Sequence, residues 1–97
     1  MSRLDASAIV VRSSSPLVAN VDGEIVMLQP STSQYYGLDG TGARIWALLD
    51  EPRSIGDIVA CLVAEYEVDE VTCLAEVVAF MQDLSESGLV EATPAAT

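Results

Sequence analysis

The side chains that could do chemistry are two cysteines, fifteen acidic residues and four arginines, in a chain of 97 residues without histidine. Without histidine, neither a Ser-His-Asp nor a Cys-His nucleophile can be assembled, and the commonest metal ligand is missing. Cys61 and Cys73 lie in helical patterns and form no Cys-x-x-Cys pair, which favours two small buried residues. Acidic residues spread along a small domain are typical of a solvated surface. We therefore expect no enzyme, no catalytic residue, no metal site and no cofactor.

Three glycines near the middle of the chain offer a second kind of site. Gly37, Gly40 and Gly42 superficially resemble a loop that cradles phosphates. They lack the βαβ context and the lysine that such loops need, so we interpret them as residues that turn a corner.

The charge balance restricts the partners. The net charge of −11 argues against nucleic acid and against anionic membranes, because both bind cationic surfaces. No apolar run approaches the roughly 20 residues of a membrane span. The first residues include Arg3 and Asp5 but no long apolar run before a cleavage site, so we expect no signal peptide. We expect a cytoplasmic protein whose partners are other than nucleic acid or membrane.

The predicted secondary structure changes near residue 39. Strand patterns come before this residue, helix patterns come after it, and these elements must position any site. β-branched runs at 17–21 and 24–28 flank Asp22-Gly23, which predicts a tight hairpin. Residues 34–38 form a third, aromatic strand after a turn at Pro30. Residues 8–12 could form one more short strand, which Pro16 and the serines before it would end.

Three helices are predicted in the second half. Asp39 is a candidate N-cap for the first, which must end near Pro52. The second begins at a capping-box pattern at 54–57 and continues to Tyr66. The third runs from about 70 to 87 and is ended by Gly88. Residues 91–97 are predicted to form a loose tail.

This order of elements predicts an α+β fold of the winged helix-turn-helix type, with a three-stranded antiparallel sheet followed by three α-helices. We expect one domain over 1–97, with a core at about 17–91 and flexible ends at 1–7 and 92–97. Many winged helices read DNA, but the second and third helices here carry acidic residues and neither lysine nor arginine. Phosphate would repel such a surface.

The third strand is the candidate binding element. It comes last in the meander, so one of its edges could accept a strand from another chain, and a third helix lying alongside would complete a groove. Alternation places Tyr35 and Gly37 on one face and Tyr36 and Leu38 on the other. In the competing interpretation, the tyrosines only cover the core and the N-terminal segment blocks the edge. The residues alone leave both interpretations open.

A family resemblance rests on the run from Tyr36 to Asp50, in which an aromatic strand, Leu-Asp, a Thr-Gly corner, Ile-Trp and Leu-Leu-Asp follow one another. The motifs Ser54-Ile55, Tyr66-Glu67-Val68 and Gly88-Leu89-Val90 continue it. Over about 17–91, the chain resembles the PqqD-like family, the RiPP precursor peptide recognition elements. Within that family it looks most like the stand-alone leader-binding B1 proteins of lasso peptide biosynthesis. Asp39, Glu76 and Met81 are mild departures from the family pattern.

The resemblance implies a non-catalytic protein that binds the leader of a ribosomally made precursor peptide as a strand added to the third strand. It would deliver that peptide to a maturation enzyme, which in the lasso pathway is a leader peptidase. Carried over by position, the peptide contacts come from Tyr35, Tyr36, Gly37, Leu38, Cys73, Glu76, Val77 and Phe80. Gln34, the first residue of that strand, and Asp83, on the acidic third helix, complete the predicted peptide-binding set. The alternatives are a PqqD-type chaperone for a radical-SAM maturation enzyme and a winged-helix interaction module unrelated to peptide maturation.

Three further expectations concern this region. We hypothesise that Glu76 and Asp83 pair with basic leader residues, because the third helix is acidic. The open edge also predicts a homodimer formed through it, since an unpaired edge invites pairing. The corner from Leu38 to Trp46 is expected to have a structural role, fixing the first helix against the sheet.

Overall fold

The computed structural model describes residues 4–94, which form six strands and three helices. In chain order they are β1 (Ile9–Arg12), β2 (Leu17–Val21), β3 (Glu24–Gln29), β4 (Gln34–Leu38), α1 (Gly40–Leu48), β5 (Arg53–Ser54), α2 (Ile55–Tyr66), α3 (Glu70–Glu86) and β6 (Val90–Thr93). The predicted α+β class is confirmed, and the strand predicted as the third is β4. None of these three helices is long and apolar enough to cross a membrane.

The predicted meander is present as an antiparallel sheet in the order β2-β3-β4. Its first turn is formed by Asp22 and Gly23, whose φ angles of +50° and +83° are the consecutive positive values of a tight hairpin. Along β3, burial alternates strictly, with Ile25, Met27 and Gln29 facing the core. All five residues of β2 are exposed, so the buried side of this hairpin is formed by β3 alone.

A second three-stranded sheet, in the order β5-β1-β6, was not predicted. Its central strand β1 pairs antiparallel with both neighbours, so that Ile9 lies opposite Ser54 on one side and Thr93 on the other. Ala8 and Val10 are fully buried, which extends the core beyond the expected 17–91. The sequence does not predict β5 or β6, because β5 has only two residues and β6 is too polar.

This second sheet corrects the predictions for the two ends of the chain. Residues 4–7 were expected to be flexible, but the carbonyl oxygen of Ala6 accepts a 2.8 Å hydrogen bond from the backbone N–H of Gly56. The expected loose tail is wrong over residues 91–93, which belong to β6. The remaining terminal residues, 1–3 and 95–97, lie outside the described part of the chain.

Capping residues mark the helix boundaries; those at Asp39, Ser54 and Gly88 were predicted, whereas the cap at Asp69 was not. Ser54 Oγ accepts a 3.1 Å hydrogen bond from Asp57 N–H at the start of α2, and Asp69 caps α3 through Thr72 N–H at 2.8 Å. Asp39 holds the N-cap position of α1, but the bond to Ala43 N–H is accepted by its backbone carbonyl. Gly88, at φ +76°, ends α3 as predicted.

Candidate functional site

The edge of β4 is the first component of the site. All five of its residues pair with β3, in a register that runs from Gln29 opposite Gln34 to Ile25 opposite Leu38. Within residues 4–94, no strand pairs with its other edge. The described N-terminal residues, from 4 onwards, do not block that edge, because they lead into β1 of the other sheet. Of the two interpretations of β4 that the sequence left open, the structure favours the open edge.

The two faces of β4 differ as the alternation predicts. Tyr35 is 73% exposed and Gly37 is also exposed. Tyr36 and Leu38 are half-buried and pack against the core. The Tyr36 hydroxyl donates a 2.8 Å hydrogen bond to the side-chain oxygen of Gln34, two residues earlier on the same face. Tyr35 therefore points away from the helices, and Tyr36 and Leu38 point towards them.

A pocket of about 280 Å³ lies between α1, α2 and α3. Its lining residues are Thr41, Gly42, Ile45, Leu62, Cys73, Glu76, Val77 and Phe80. The four contributed by α3 all belong to the predicted peptide-binding set. They recur at positions i, i+3, i+4 and i+7, which is the spacing of one helix face. The structure thus brings together the helical half of that set, with the exception of Asp83.

One contact joins this pocket to β4. A β-carbon on Gly42 would lie 3.5 Å from Phe80 Cζ and 3.7 Å from Leu38 Cδ2. The Phe80 ring and the Leu38 side chain therefore both lie against Gly42 in the first turn of α1, where glycine leaves room for them. The pocket opens beside the Leu38 end of β4.

A second contact fixes the direction of α3. Gln29, which pairs with Gln34 at the other end of β4, donates from Nε2 to the carbonyl oxygens of Ser87 at 3.3 Å and Gly88 at 3.0 Å. The helix therefore runs from the Leu38 end of β4 towards the Gln34 end. Its rise from Phe80 to Ser87 is about 10 Å, and β4 spans about 14 Å, so the two elements match in length. We call the surface between them the β4–α3 groove.

The pocket is apolar inside and acidic at its rim. Cys73 and Val77 are buried, whereas Glu76 is exposed. Burial, together with a smaller effect of the nearby Glu76 charge, raises the pKa of the Cys73 thiol, so this side chain stays neutral. Pockets that hold drug-sized ligands begin at about 300 Å³. The dimensions therefore suit one or two apolar side chains of a peptide.

The charge around the groove is negative because the arginines of the described chain act elsewhere. Arg12 lies over the Trp46 ring, 4.7 Å from its centroid, and donates to the Trp46 carbonyl oxygen. Arg53 donates to the Leu48 carbonyl oxygen, so both cations lie at the C-terminal end of α1, where its dipole is negative. Arg44 forms a two-point ion pair with Glu65, at 2.9 and 2.6 Å.

Two acidic side chains remain along the groove side of α3. Glu76 and Asp83 are seven residues apart, which places them on the same side of the helix, and both are exposed. Asp83 lies beyond the pocket, towards the Gln34 end of β4. The geometry agrees with an acidic wall along the groove, while its pairing with a basic peptide stays a prediction.

Sequence reasoning missed four pocket residues. Thr41, Gly42 and Ile45 belong to the corner that was expected to have a structural role, and the structure also places them in the wall of the pocket. Leu62 was interpreted solely as a core position of α2. The available signal was the small Thr41-Gly42 pair at the start of a helix, which leaves space that a larger residue would fill.

Residues 24–90 match the family profile described as coenzyme PQQ synthesis protein D, PqqD. The chain belongs to the PqqD family. It is a PqqD-like RiPP recognition element, and the matched residues include β4, the pocket and α3. A comparison with curated protein sequences gives no match.

Two solved structures resemble this family member closely. One is TbiB1 in complex with the TbiA(beta) leader peptide, with a TM-score of 0.77 and 37% identity, covering 84% of this chain and 94% of the other. The second is a lasso peptide synthetase B1 complexed with the leader peptide, with a TM-score of 0.74 and 29% identity, covering 84% and 96%. Both similar proteins were thus solved with a leader peptide bound.

Proposed function

We propose that this chain binds the leader of a ribosomally made precursor peptide in the cytoplasm and delivers it, without catalysis, to the leader peptidase of lasso peptide biosynthesis. The observation that carries the proposal is the coincidence of an open strand edge and an apolar pocket in a fold that matches two leader-bound B1 proteins. Each feature supplies a different part of peptide recognition.

The edge of β4 supplies affinity that depends little on sequence. Its unpaired backbone N–H and C=O groups can bond to a guest strand that extends the meander to four strands. Because backbone groups are common to all residues, this pairing alone would accept many peptides and many registers.

The pocket determines the register in which the guest strand pairs with β4. It opens beside Leu38, so a guest strand paired along β4 carries one of its side chains to Phe80 and Val77 at that end. An apolar side chain buried there gains roughly 25 cal/mol for each Å² removed from water. A shift of one residue would turn that side chain to the other face of the sheet and lose the contact.

Titration of a labelled synthetic leader peptide, followed by fluorescence anisotropy, tests this proposal. We expect saturable binding, and we expect Phe80→Ala to weaken it by about tenfold or more, because a central anchor contact is removed. Val71→Ala is the matched control, since Val71 is 76% exposed on the opposite side of α3. Circular dichroism separates lost binding from lost folding.

An absence of binding by the wild-type chain at tens of micromolar peptide would contradict the proposal. That result would favour the alternative of an interaction module that binds a folded partner. Equal weakening by Phe80→Ala and Val71→Ala would also contradict it, because the pocket would then have no special role.

A second candidate is a peptide chaperone for a radical-SAM maturation enzyme. It is favoured by the family match to coenzyme PQQ synthesis protein D over residues 24–90. The two candidates share the groove and differ in the enzyme served. Co-purification of the leader-bound chain with each purified enzyme distinguishes them, since only the true recipient should form a complex at micromolar concentration.

A further inference from the structure

The outward-facing side of the meander carries a continuous apolar surface that the β4–α3 groove does not use. Residues that face away from the helices pair directly across the three strands. One row is Leu17, Leu28 and Tyr35, and the next is Ala19, Val26 and Gly37. We call this surface, formed by Leu17, Ala19, Val21, Val26, Leu28 and Tyr35, the outer face.

The outer face exposes several large apolar side chains. Leu17 is 63%, Val21 52% and Tyr35 73% exposed. A shallow groove of about 170 Å³ lies between the two rows, with Leu17, Leu28 and Val26 among its lining residues. Single exposed apolar residues are ordinary, but a contiguous patch in a small protein marks a surface that another molecule covers.

The charges at one end of this surface indicate the kind of partner. Glu24, opposite Val21, and Asp22 in the adjacent turn place two exposed carboxylates at the hairpin tip. The opposite end, around Ser31 to Ser33, is neutral. A second copy of the chain would bring the same acidic tip and a further net charge of −11, and the two would repel each other. A surface with an apolar centre and lysine or arginine at one side fits better.

The two rows also run towards the open edge of β4. If a leader strand pairs there, its outward-facing side chains continue the rows beyond Tyr35 and Gly37. A protein bound to the outer face would then contact the loaded peptide as well as this chain.

We infer that the outer face is the docking surface for the maturation enzyme, through an apolar patch on that enzyme flanked by cationic side chains. This inference rests on the proposed function, and it assigns a surface separate from the peptide groove. It predicts that enzyme docking and leader binding can be disrupted independently.

The test measures binding of the purified leader peptidase to the chain by biolayer interferometry, with and without synthetic leader peptide. The double variant Leu17→Thr/Val21→Thr keeps strand-forming residues and removes the apolar surface at β2, far from the β4 edge. We expect it to weaken peptidase binding about tenfold or more while leader affinity is unchanged. Glu24→Lys should also weaken it, through repulsion of the cationic side of the partner.

Val71→Thr is the control, because Val71 is an equally exposed apolar residue on α3, away from the outer face. Circular dichroism checks that every variant is folded. Unchanged peptidase binding by the double variant would overturn the inference even where the leader binds normally. So would a wild-type dimer in sedimentation that the double variant converts to a monomer, because a second copy would then cover the face. Failure of the leader to bind the wild-type chain is a separate result that contradicts the proposed function.

Discussion

The two outer strands of the meander, β2 and β4, have the same partner and different surroundings. Each pairs with β3 on one side, and within the described residues neither has a strand on the other. All five residues of β2 are exposed, whereas Tyr36 and Leu38 of β4 pack towards the helices beside a pocket. Within the described residues an unpaired edge is therefore common to both strands, and only β4 has the pocket beside it.

This difference explains why an open edge alone would be a poor binding site. Backbone pairing cannot choose one peptide or one register, and unprotected edges invite aggregation. In the proposed function, the pocket and the acidic side of α3 beside β4 select a guest by apolar contact and by charge. The comparison yields three mutational predictions, which begin with the largest effect.

Filling the pocket should remove most of the selectivity of β4. Gly42→Leu would place its side chain between Phe80 and Leu38, where even a β-carbon comes within 3.5 and 3.7 Å. We expect leader affinity to fall by about 100-fold, because the anchor side chain loses its cavity. Gly42→Ala is the matched control, since its β-carbon makes ordinary contacts and alanine favours the helix. Isothermal titration with synthetic leader peptide measures both, and similar affinities for the two variants would show that the pocket is not used.

Loosening the attachment of α3 should affect the whole groove. Gly88→Ala places a β-carbon 2.9 Å from Gln29 Nε2 and forces a non-glycine residue to φ +76°. We expect a loss of about 2 kcal/mol in the free energy of unfolding, from backbone strain and disturbed hydrogen bonds. Urea denaturation measures it.

The control for that variant lies at the β2 side of the sheet. Gly23→Ala meets no atom within 4 Å and loses only its turn conformation at φ +83°, so we expect a smaller cost of about 1 kcal/mol. Equal costs for the two variants would mean that the Gln29 contact does not hold α3 in place.

Neutralising the acidic side of α3 should have the smallest of the three effects. Glu76→Gln combined with Asp83→Asn should weaken leader binding by about three- to tenfold at low salt, with little change at 0.5 M salt, where exposed charges are screened. Glu70→Gln is the control, because Glu70 lies on α3 beside Ala6 and Gly56, away from the pocket. An unchanged affinity in the double variant at low salt would refute pairing with basic leader residues.

Local patterns were sufficient to predict the elements that bear on this comparison. The Asp22-Gly23 hairpin and the cap at Ser54 each follow from residues adjacent in sequence. The face of α3 that lines the pocket was predictable, because its residues recur at helical spacing. These signals are short-range, and the structure confirms them.

Long-range pairing was not predictable from the same information. The β5-β1-β6 sheet joins residues near both ends of the chain, and β5 has only two residues, too few to show alternation. The pocket depends on α1, α2 and α3 meeting, so the contributions of Thr41, Ile45 and Leu62 appear only in three dimensions. Which edge stays open likewise depends on where β1 pairs.

Amide hydrogen exchange, read residue by residue by NMR with and without synthetic leader peptide, tests strand addition to β4 most directly. Successive amides of a strand point to opposite sides, so the outward-pointing amides of Gln34–Leu38 should become protected when the peptide binds, while the amides of Leu17–Val21 should not change. Peptide binding that leaves all β4 amides unprotected, or that protects β2 instead, would contradict the account.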